Sequence, residues 1–151
     1  MKLAQALIER AELKTKNAAL LDRIQKNTLV QEGDAPGEAP EALIAEYEEN
    51  MARMEWLIVH INRTNSATSF DDARTVTDAI AARDCLGAKI RAYRAVCDSA
   101  SGEHIRYGRN EIKFVRCVNV KELQALIDRL SKEYRTLDTR LQELNWTAEL
   151  L

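Results

Sequence analysis

The chain has 151 residues, of which 46% are hydrophobic and 30% are charged, with only five glycines and two prolines. These values exclude a disordered chain and a collagen-like chain, and the length favours a single domain. Because 22 basic residues stand against 24 acidic ones, the net charge is -2. This balance excludes a global positive field for nucleic acid or an anionic membrane, so neither partner is expected.

The apolar runs of the chain are short. None approaches the ~20 residues of a membrane-spanning helix. The first ten residues, MKLAQALIER, are interrupted by Gln5 and closed by Glu9, so they do not form the apolar core of a signal peptide. We therefore expect a cytoplasmic protein.

The first half of the chain contains two segments with a helical period. Residues 2–28 carry a broad apolar stripe, which is typical of a helix in a globular bundle. Residues 41–65 repeat apolar positions alternately three and four residues apart, which predicts a coiled-coil seam. The seam consists of Ile44, Tyr47, Met51, Met54, Ile58, Ile61 and Asn65.

Two further helices are predicted in the second half, over residues 76–100 and 120–144. The last segment has the most regular seam, so we expect its apolar residues to be buried more completely than those of the first helix. Its start carries Asn119 as a cap and Glu122 three residues later, which matches a capping box. Its seam consists of Val120, Leu123, Ile127, Leu130, Tyr134, Leu137, Leu141 and Leu144.

A short β-hairpin is predicted between the third and fourth helices, over residues 104–116. Apolar and polar residues alternate there on both sides of a turn that contains Gly108. Its basic and aromatic side chains suit either an oligomer contact or the stacking of single-stranded nucleic acid, and the oligomer contact is favoured. The residues of this interaction hairpin are Arg106, Tyr107, Arg109, Lys113 and Phe114.

The predicted fold is all-α. Four long antiparallel helices form a bundle or a pair of coiled-coil hairpins, with the β-hairpin inserted before the fourth helix. One helical-bundle domain is expected over residues 1–151.

Polar residues from separate helices converge at one end of such a bundle. They form either a ligand or anion site, or a set of side chains that satisfy helix ends, and the second interpretation is favoured. Arg83 occupies a seam position, where a buried guanidinium needs a carboxylate from Asp78 or from a neighbouring subunit. The candidate ligand-binding residues are Asn62, Arg63, Asn65, Asp78, Arg83 and Trp146.

Motifs for catalysis and for metal binding are absent from the sequence. It contains no GxSxG, P-loop, GxGxxG or HExxH pattern. Its three cysteines form no CxxC pair, and its two histidines are far apart. We therefore expect no catalytic residue, no metal and no cofactor.

Several short motifs carry a resemblance to a known family. These are the opening KLAQALIER, VQEGD from Val30, INRTN from Ile61, RNEIKFV from Arg109 and LNWT from Leu144. With them the chain resembles the bacterial septicolysin-like family, a family of unknown function. The resemblance implies a bacterial helical protein and assigns no catalytic residue.

The function that these patterns favour is that of a self-associating structural or interaction protein, a homo-oligomer without catalytic activity. The alternative is a small-ligand or enzymatic site at the polar end, around Asn62, Asn65, Arg83 and Trp146, with an unknown ligand. A third hypothesis is the membrane damage that the name of the resembled family suggests.

Overall fold

The computed structural model describes residues 1–102, 112 and 114–151 of the chain. Four helices account for most of these residues. They are α1 (Leu3–Lys26), α2 (Pro40–Ala67), α3 (Val76–Ser101) and α4 (Val120–Thr147). The predicted helices begin and end within three residues of these bounds, and the all-α class is confirmed.

The chain divides into two compact units, each with its own packing. The first unit contains residues 1–76 and 142–151, and the second contains residues 77–141. The expectation of one domain over the whole chain stays a prediction.

In the first unit, α1 and α2 form an antiparallel pair. The ion pairs Glu9–Arg53 and Lys16–Glu46 establish this direction, because the residue numbers rise along α1 as they fall along α2. The core at one end of the pair contains the fully buried side chains Leu3, Ala6, Leu57 and Ile61.

The two ends of the chain are joined in this unit, in an arrangement that we call the terminal clasp. The amide of Leu3 donates to the carbonyl of Ala148 at 3.0 Å, and the amide of Leu150 donates to the carbonyl of Met1 at 2.8 Å. The ammonium group of Lys2 lies 2.6 Å from Glu149. The clasp therefore holds the start of α1 against the segment that follows α4.

In the second unit, α3 and α4 pack through a smaller core of Ile90, Cys97 and Ile127, with Leu130 and Tyr134 partly buried against it. The predicted cap of α4 is confirmed, because the side chain of Asn119 accepts a hydrogen bond from the Glu122 amide at 3.2 Å.

Burial along α4 differs from the expectation. Leu130 is only partly buried, whereas Leu3 and Leu20 of α1 have exposed fractions of 0% and 1%. The regular seam of α4 is therefore not the most deeply buried one. An apolar period identifies which face of a helix turns inward, but the depth of burial depends on what covers that face.

Most of the buried face of α2 lies one residue away from the predicted seam, although Ile61 of that seam is buried. Leu43, Asn50, Leu57 and Thr64 are buried at intervals of seven, while Ile44, Met51 and Ile58 remain partly exposed. The predicted coiled-coil seam is therefore not supported for this helix.

The predicted β-hairpin is not supported either. Ile112 and residues 114–119 contain no strand, and the rest of the hairpin lies outside the described residues. In the part of the chain that the structure describes, strand-like pairing is limited to the isolated bridges Lys2–Glu149 and Ser69–Thr75.

None of the helices that the structure describes is long and apolar enough to cross a membrane.

Candidate functional site

The exposed side of α2 is unusually apolar, and we call it the α2 outer face. Ile44, Met51 and Ile58 have exposed fractions of 47%, 39% and 40%. A shallow groove of about 450 Å³ runs along this face. It is lined by Glu48, Met51, Ala52, Met54, Glu55, Ile58 and Val59.

Contacts with α1 fix the orientation of this helix. Both nitrogens of an Arg53 fork bond Glu9, at 2.6 Å from Nε to Oε1 and 2.9 Å from Nη2 to Oε2. The hydrogen bonds from Arg53 hold the pKa of the Glu9 carboxyl below its usual value. The Arg53 guanidinium also lies 4.4 Å from the centre of the Trp56 ring, which stacks on His60. These contacts turn Met51 and Ile58 toward the surface.

Two opposite charges lie on the α2 outer face, fifteen residues apart. Glu48 and Arg63 are both exposed. Among the described residues, neither takes part in a hydrogen bond or ion pair. The face therefore presents Glu48 and Glu55 as anions and Arg63 as a cation beside its apolar side chains, none of them with a partner among the described residues.

The candidate ligand-binding residues are distributed over both units. Asn62, Arg63, Asn65 and Trp146 belong to the first unit, where Trp146 has an exposed fraction of 57%. Asp78 and Arg83 belong to the second unit. A single ligand site formed by all six residues stays a prediction.

Arg83 has carboxylate partners, but they differ from the expected Asp78 or neighbouring subunit. Its Nη2 lies 2.8 Å from Asp84 and its Nη1 lies 3.2 Å from Asp138 on α4. Burial alone would lower the pKa of Arg83, but the hydrogen bonds and charges of both aspartates raise it. These contacts link α3 to α4, so the guanidinium has a structural role within the second unit.

A second groove lies between α3 and α4 in the same unit, and we call it the arginine groove. Its volume is about 280 Å³. It is lined by Gly87, Ile90, Arg91, Arg94, Ser131, Tyr134 and Arg135. The sequence interpretation missed this site. The available signal was Arg91 and Arg94 one helical turn apart on α3, with Ser131 and Arg135 four residues apart on α4.

Most of the predicted interaction hairpin cannot be placed. Arg106, Tyr107, Arg109 and Lys113 lie outside the described residues. Phe114 is described and has an exposed fraction of 71%. It borders a cavity of about 580 Å³ that is also lined by Val96 and Val118.

The cysteines are all free, with Cys97 buried and Cys85 and Cys117 exposed. Among the described residues, no group of histidine, cysteine and acidic side chains is arranged to hold a metal ion.

Comparisons with known proteins place the chain among proteins without an assigned role. A family model described as a family of unknown function, DUF6847, matches residues 10–150. A solved structure of a functionally unknown conserved protein from Corynebacterium diphtheriae is 39% identical in sequence and has a TM-score of 0.94 to this chain. The match covers 100% of this chain and 99% of that one. No curated protein matches the chain.

The resemblance to the septicolysin-like family is therefore wrong. Neither the family model nor the solved structure points to septicolysin. Short motifs such as INRTN and LNWT occur at helix ends, where Asn and Thr satisfy free backbone groups in many unrelated proteins, so they carry little information about descent.

Proposed function

Because the chain belongs to DUF6847, a family of unknown function, we propose a role from its own surface: a self-associating interaction protein whose contact is the α2 outer face. The observation that carries this proposal is the partial exposure of Ile44, Met51 and Ile58 at heptad spacing. Apolar side chains at this spacing on a helix surface are typical of a helix that packs against another helix.

The charges on this face favour a second copy of the chain as the partner. An antiparallel pair of α2 helices, related by a two-fold axis between Glu55 and Trp56, sets Glu48 of each copy opposite Arg63 of the other. In such an isologous contact, the pair of Glu48 with Arg63 forms twice, once at each end. Complementary pairs of this kind fix the register of an interface.

The same symmetry sets Ala52 of one copy opposite Val59 of the other. Glu55 and Trp56 of both copies, which are exposed, then lie nearest the axis. Met51 and Ile58 of both copies then line the same side of the contact. Apolar packing there would supply the association energy, because burial stabilises by about 25 cal/mol per Å² of apolar area.

Sedimentation velocity over a range of protein concentrations tests the proposal. The expected result is a species of about twice the 17.1 kDa chain mass that dissociates on dilution. Arg63→Glu and Glu48→Arg should each weaken the dimer, because each creates like charges at the contact. The double variant Glu48→Arg/Arg63→Glu should restore it.

A charge reversal away from the face is the matched control. Lys132 is exposed on α4, so Lys132→Glu should leave the dimer unchanged. A monomer at all concentrations would refute self-association. A dimer that is insensitive to both single reversals, or that the double reversal does not restore, would refute this contact.

A further inference from the structure

The arginine groove combines three guanidinium groups with a space that they do not fill. Arg91 and Arg94 approach it from α3, and Arg135 approaches it from α4. All three side chains are exposed. Among the described residues, none of the three takes part in an ion pair or hydrogen bond.

Several other arginines of the chain differ in this respect. Arg23 bonds Glu38, Arg53 bonds Glu9, Arg74 bonds Asp71, and Arg83 bonds Asp84 and Asp138. Acidic residues outnumber basic ones in the sequence, at 24 to 22. A cluster of three free guanidinium groups is therefore a local positive site on a chain with a net negative charge.

A buried serine hydroxyl lies at the groove. Within the part of the chain that the structure describes, the Oγ of Ser131 has no hydrogen-bond partner. A serine in a helix can donate to the carbonyl four residues earlier, as Ser99 and Ser101 do here at 3.0 and 2.9 Å. Buried hydroxyl groups without a partner are rare because each has lost its hydrogen bond to water. Because this Oγ is enclosed, the Ser131 side chain must rotate into the groove for a bound acceptor atom to satisfy the donor.

Glycine keeps the groove open at Gly87. A Cβ atom at this position would lie 3.3 Å from Cε2 of Tyr134 and 3.4 Å from Nη1 of Arg91. The distance to Tyr134 is shorter than most van der Waals contacts, and the distance to Arg91 is at the short end of the ordinary range. A larger residue would therefore press on the Tyr134 ring.

We propose that the arginine groove binds a small ligand through a phosphate group, with Arg91, Arg94 and Arg135 around the phosphate and the Ser131 hydroxyl donating to it. The planar fork of arginine matches phosphate oxygens in pairs, and a phosphate dianion balances more of the triple positive charge than a carboxylate does. This site is separate in residues from the α2 outer face, so it goes beyond the proposed self-association.

The size of the groove limits the rest of the ligand. Its volume of about 280 Å³ exceeds that of a phosphate group alone but falls below the usual range for large ligands. Ile90 and Tyr134 supply an apolar wall for a small organic part. The phosphate therefore comes either from inorganic phosphate or from a small phosphate monoester.

Isothermal titration calorimetry of the full chain with inorganic phosphate and with phenyl phosphate tests the site and separates these two sources. Sulfate and benzoate are the comparison anions. The expected result is saturable binding, strongest for phenyl phosphate if the apolar wall takes part and equal for both phosphates if it does not. The absence of saturable binding of either phosphate up to ~10 mM, a range that covers even weak sites, would overturn the proposal.

Variants that each remove one positive charge show whether the phosphate probe binds in the arginine groove. Arg94→Gln and Arg135→Gln should each raise the Kd of the phosphate probe about 10-fold or more, as expected for the loss of one charge-assisted pair. Arg129→Gln is the matched control, because it removes one positive charge from α4 at an exposed position that does not line the groove. An equal loss of affinity in the control would mean general electrostatic attraction and would overturn the site.

Ser131→Ala separates ligand binding from stability. The hydroxyl has no partner among the described residues, so its removal should leave the melting temperature unchanged or slightly higher. The same variant should weaken phosphate binding several-fold. Unchanged affinity would contradict the proposal, in which the Ser131 hydroxyl donates to the phosphate. A change in the sedimentation of the chain in Arg94→Gln would show that the groove instead contacts a second copy, which would also overturn the proposal.

Discussion

Substitutions at two neighbouring residues, Leu57 and Ile58, can show which face of α2 is buried. The apolar pattern of the sequence predicts that Ile58 is buried, whereas the structure buries Leu57. Leu57 has an exposed fraction of 0% and packs in the core with Leu3, Ala6 and Ile61. Ile58 has an exposed fraction of 40%. The seam predicted from the sequence contains Ile58 and leaves Leu57 outside it.

Alanine substitution at each position should therefore have very different effects on the free energy of unfolding. Leu57→Ala removes a fully enclosed side chain and leaves a cavity, at a cost of about 3–5 kcal/mol. Ile58→Ala loses only part of its burial and opens no closed cavity, so about 1 kcal/mol is expected. The first loss is a large share of a typical total stability of about 5–15 kcal/mol.

Urea unfolding followed by circular dichroism measures both effects, at a protein concentration low enough to keep the chain monomeric. The slope of the free energy against urea should be the same in both variants, so that midpoints compare directly. Equal losses, or a larger loss for Ile58→Ala, would show that α2 is rotated about its axis relative to the described packing.

Two further changes test contacts of the first unit. Hydrogen bonds from Arg53 lower the folded-state pKa of Glu9 below 4.5. The pair therefore stabilises the fold above that pH, and this stabilisation is lost as the pH falls through the folded-state pKa. Glu9→Gln should reduce the free energy of unfolding at pH 7 by less than about 1 kcal/mol, and it should not differ from the parent chain in strong acid. In Thr64→Val the buried hydroxyl that accepts from the Leu151 amide at 2.9 Å is lost, which should cost about 1–3 kcal/mol and speed hydrogen exchange of that amide. Unchanged exchange at Leu151 would show that the clasp does not depend on this bond.

Helix positions were predictable because each of the four helices has its own apolar period and its own boundary residues. Pro40 opens α2 and Asn119 caps α4, and both signals act within a few residues of the helix. Such local signals do not depend on how the helices pack. The helix bounds could therefore be derived from the sequence alone.

The rotation of α2 could not be predicted in the same way. Two of its buried positions are polar, Asn50 and Thr64, so a count of apolar residues favours the neighbouring row that contains Ile44, Met51 and Ile58. Thr64 is buried because its hydroxyl donates to the His60 carbonyl at 2.8 Å and accepts from the chain end. That partner is 87 residues away in sequence, and no local pattern indicates it.

In the candidate sites, too, some contacts follow from the local sequence and others depend on how the helices pack. The partners of Arg83 include Asp84, its sequence neighbour, and Asp138, which only the pairing of α3 with α4 brings near. The arginine groove likewise combines residues of two helices. Its separate halves are ordinary i, i+3 and i, i+4 spacings, and only the packed structure brings them to one space.

The terminal clasp determines when the first unit can finish folding during synthesis. Its contacts join residues that are far apart in sequence. Lys2 and the carbonyl of Thr147, for example, are 145 positions apart. The second unit, residues 77–141, leaves the ribosome before the residues that finish the first. At ~5–20 residues per second, the paired helices α1 and α2 wait roughly 4–17 s for their closing segment. During that interval, Ala148 and Leu150 do not yet cover the end of the pair that carries Leu3 and Leu57. This apolar surface is then accessible to chaperones.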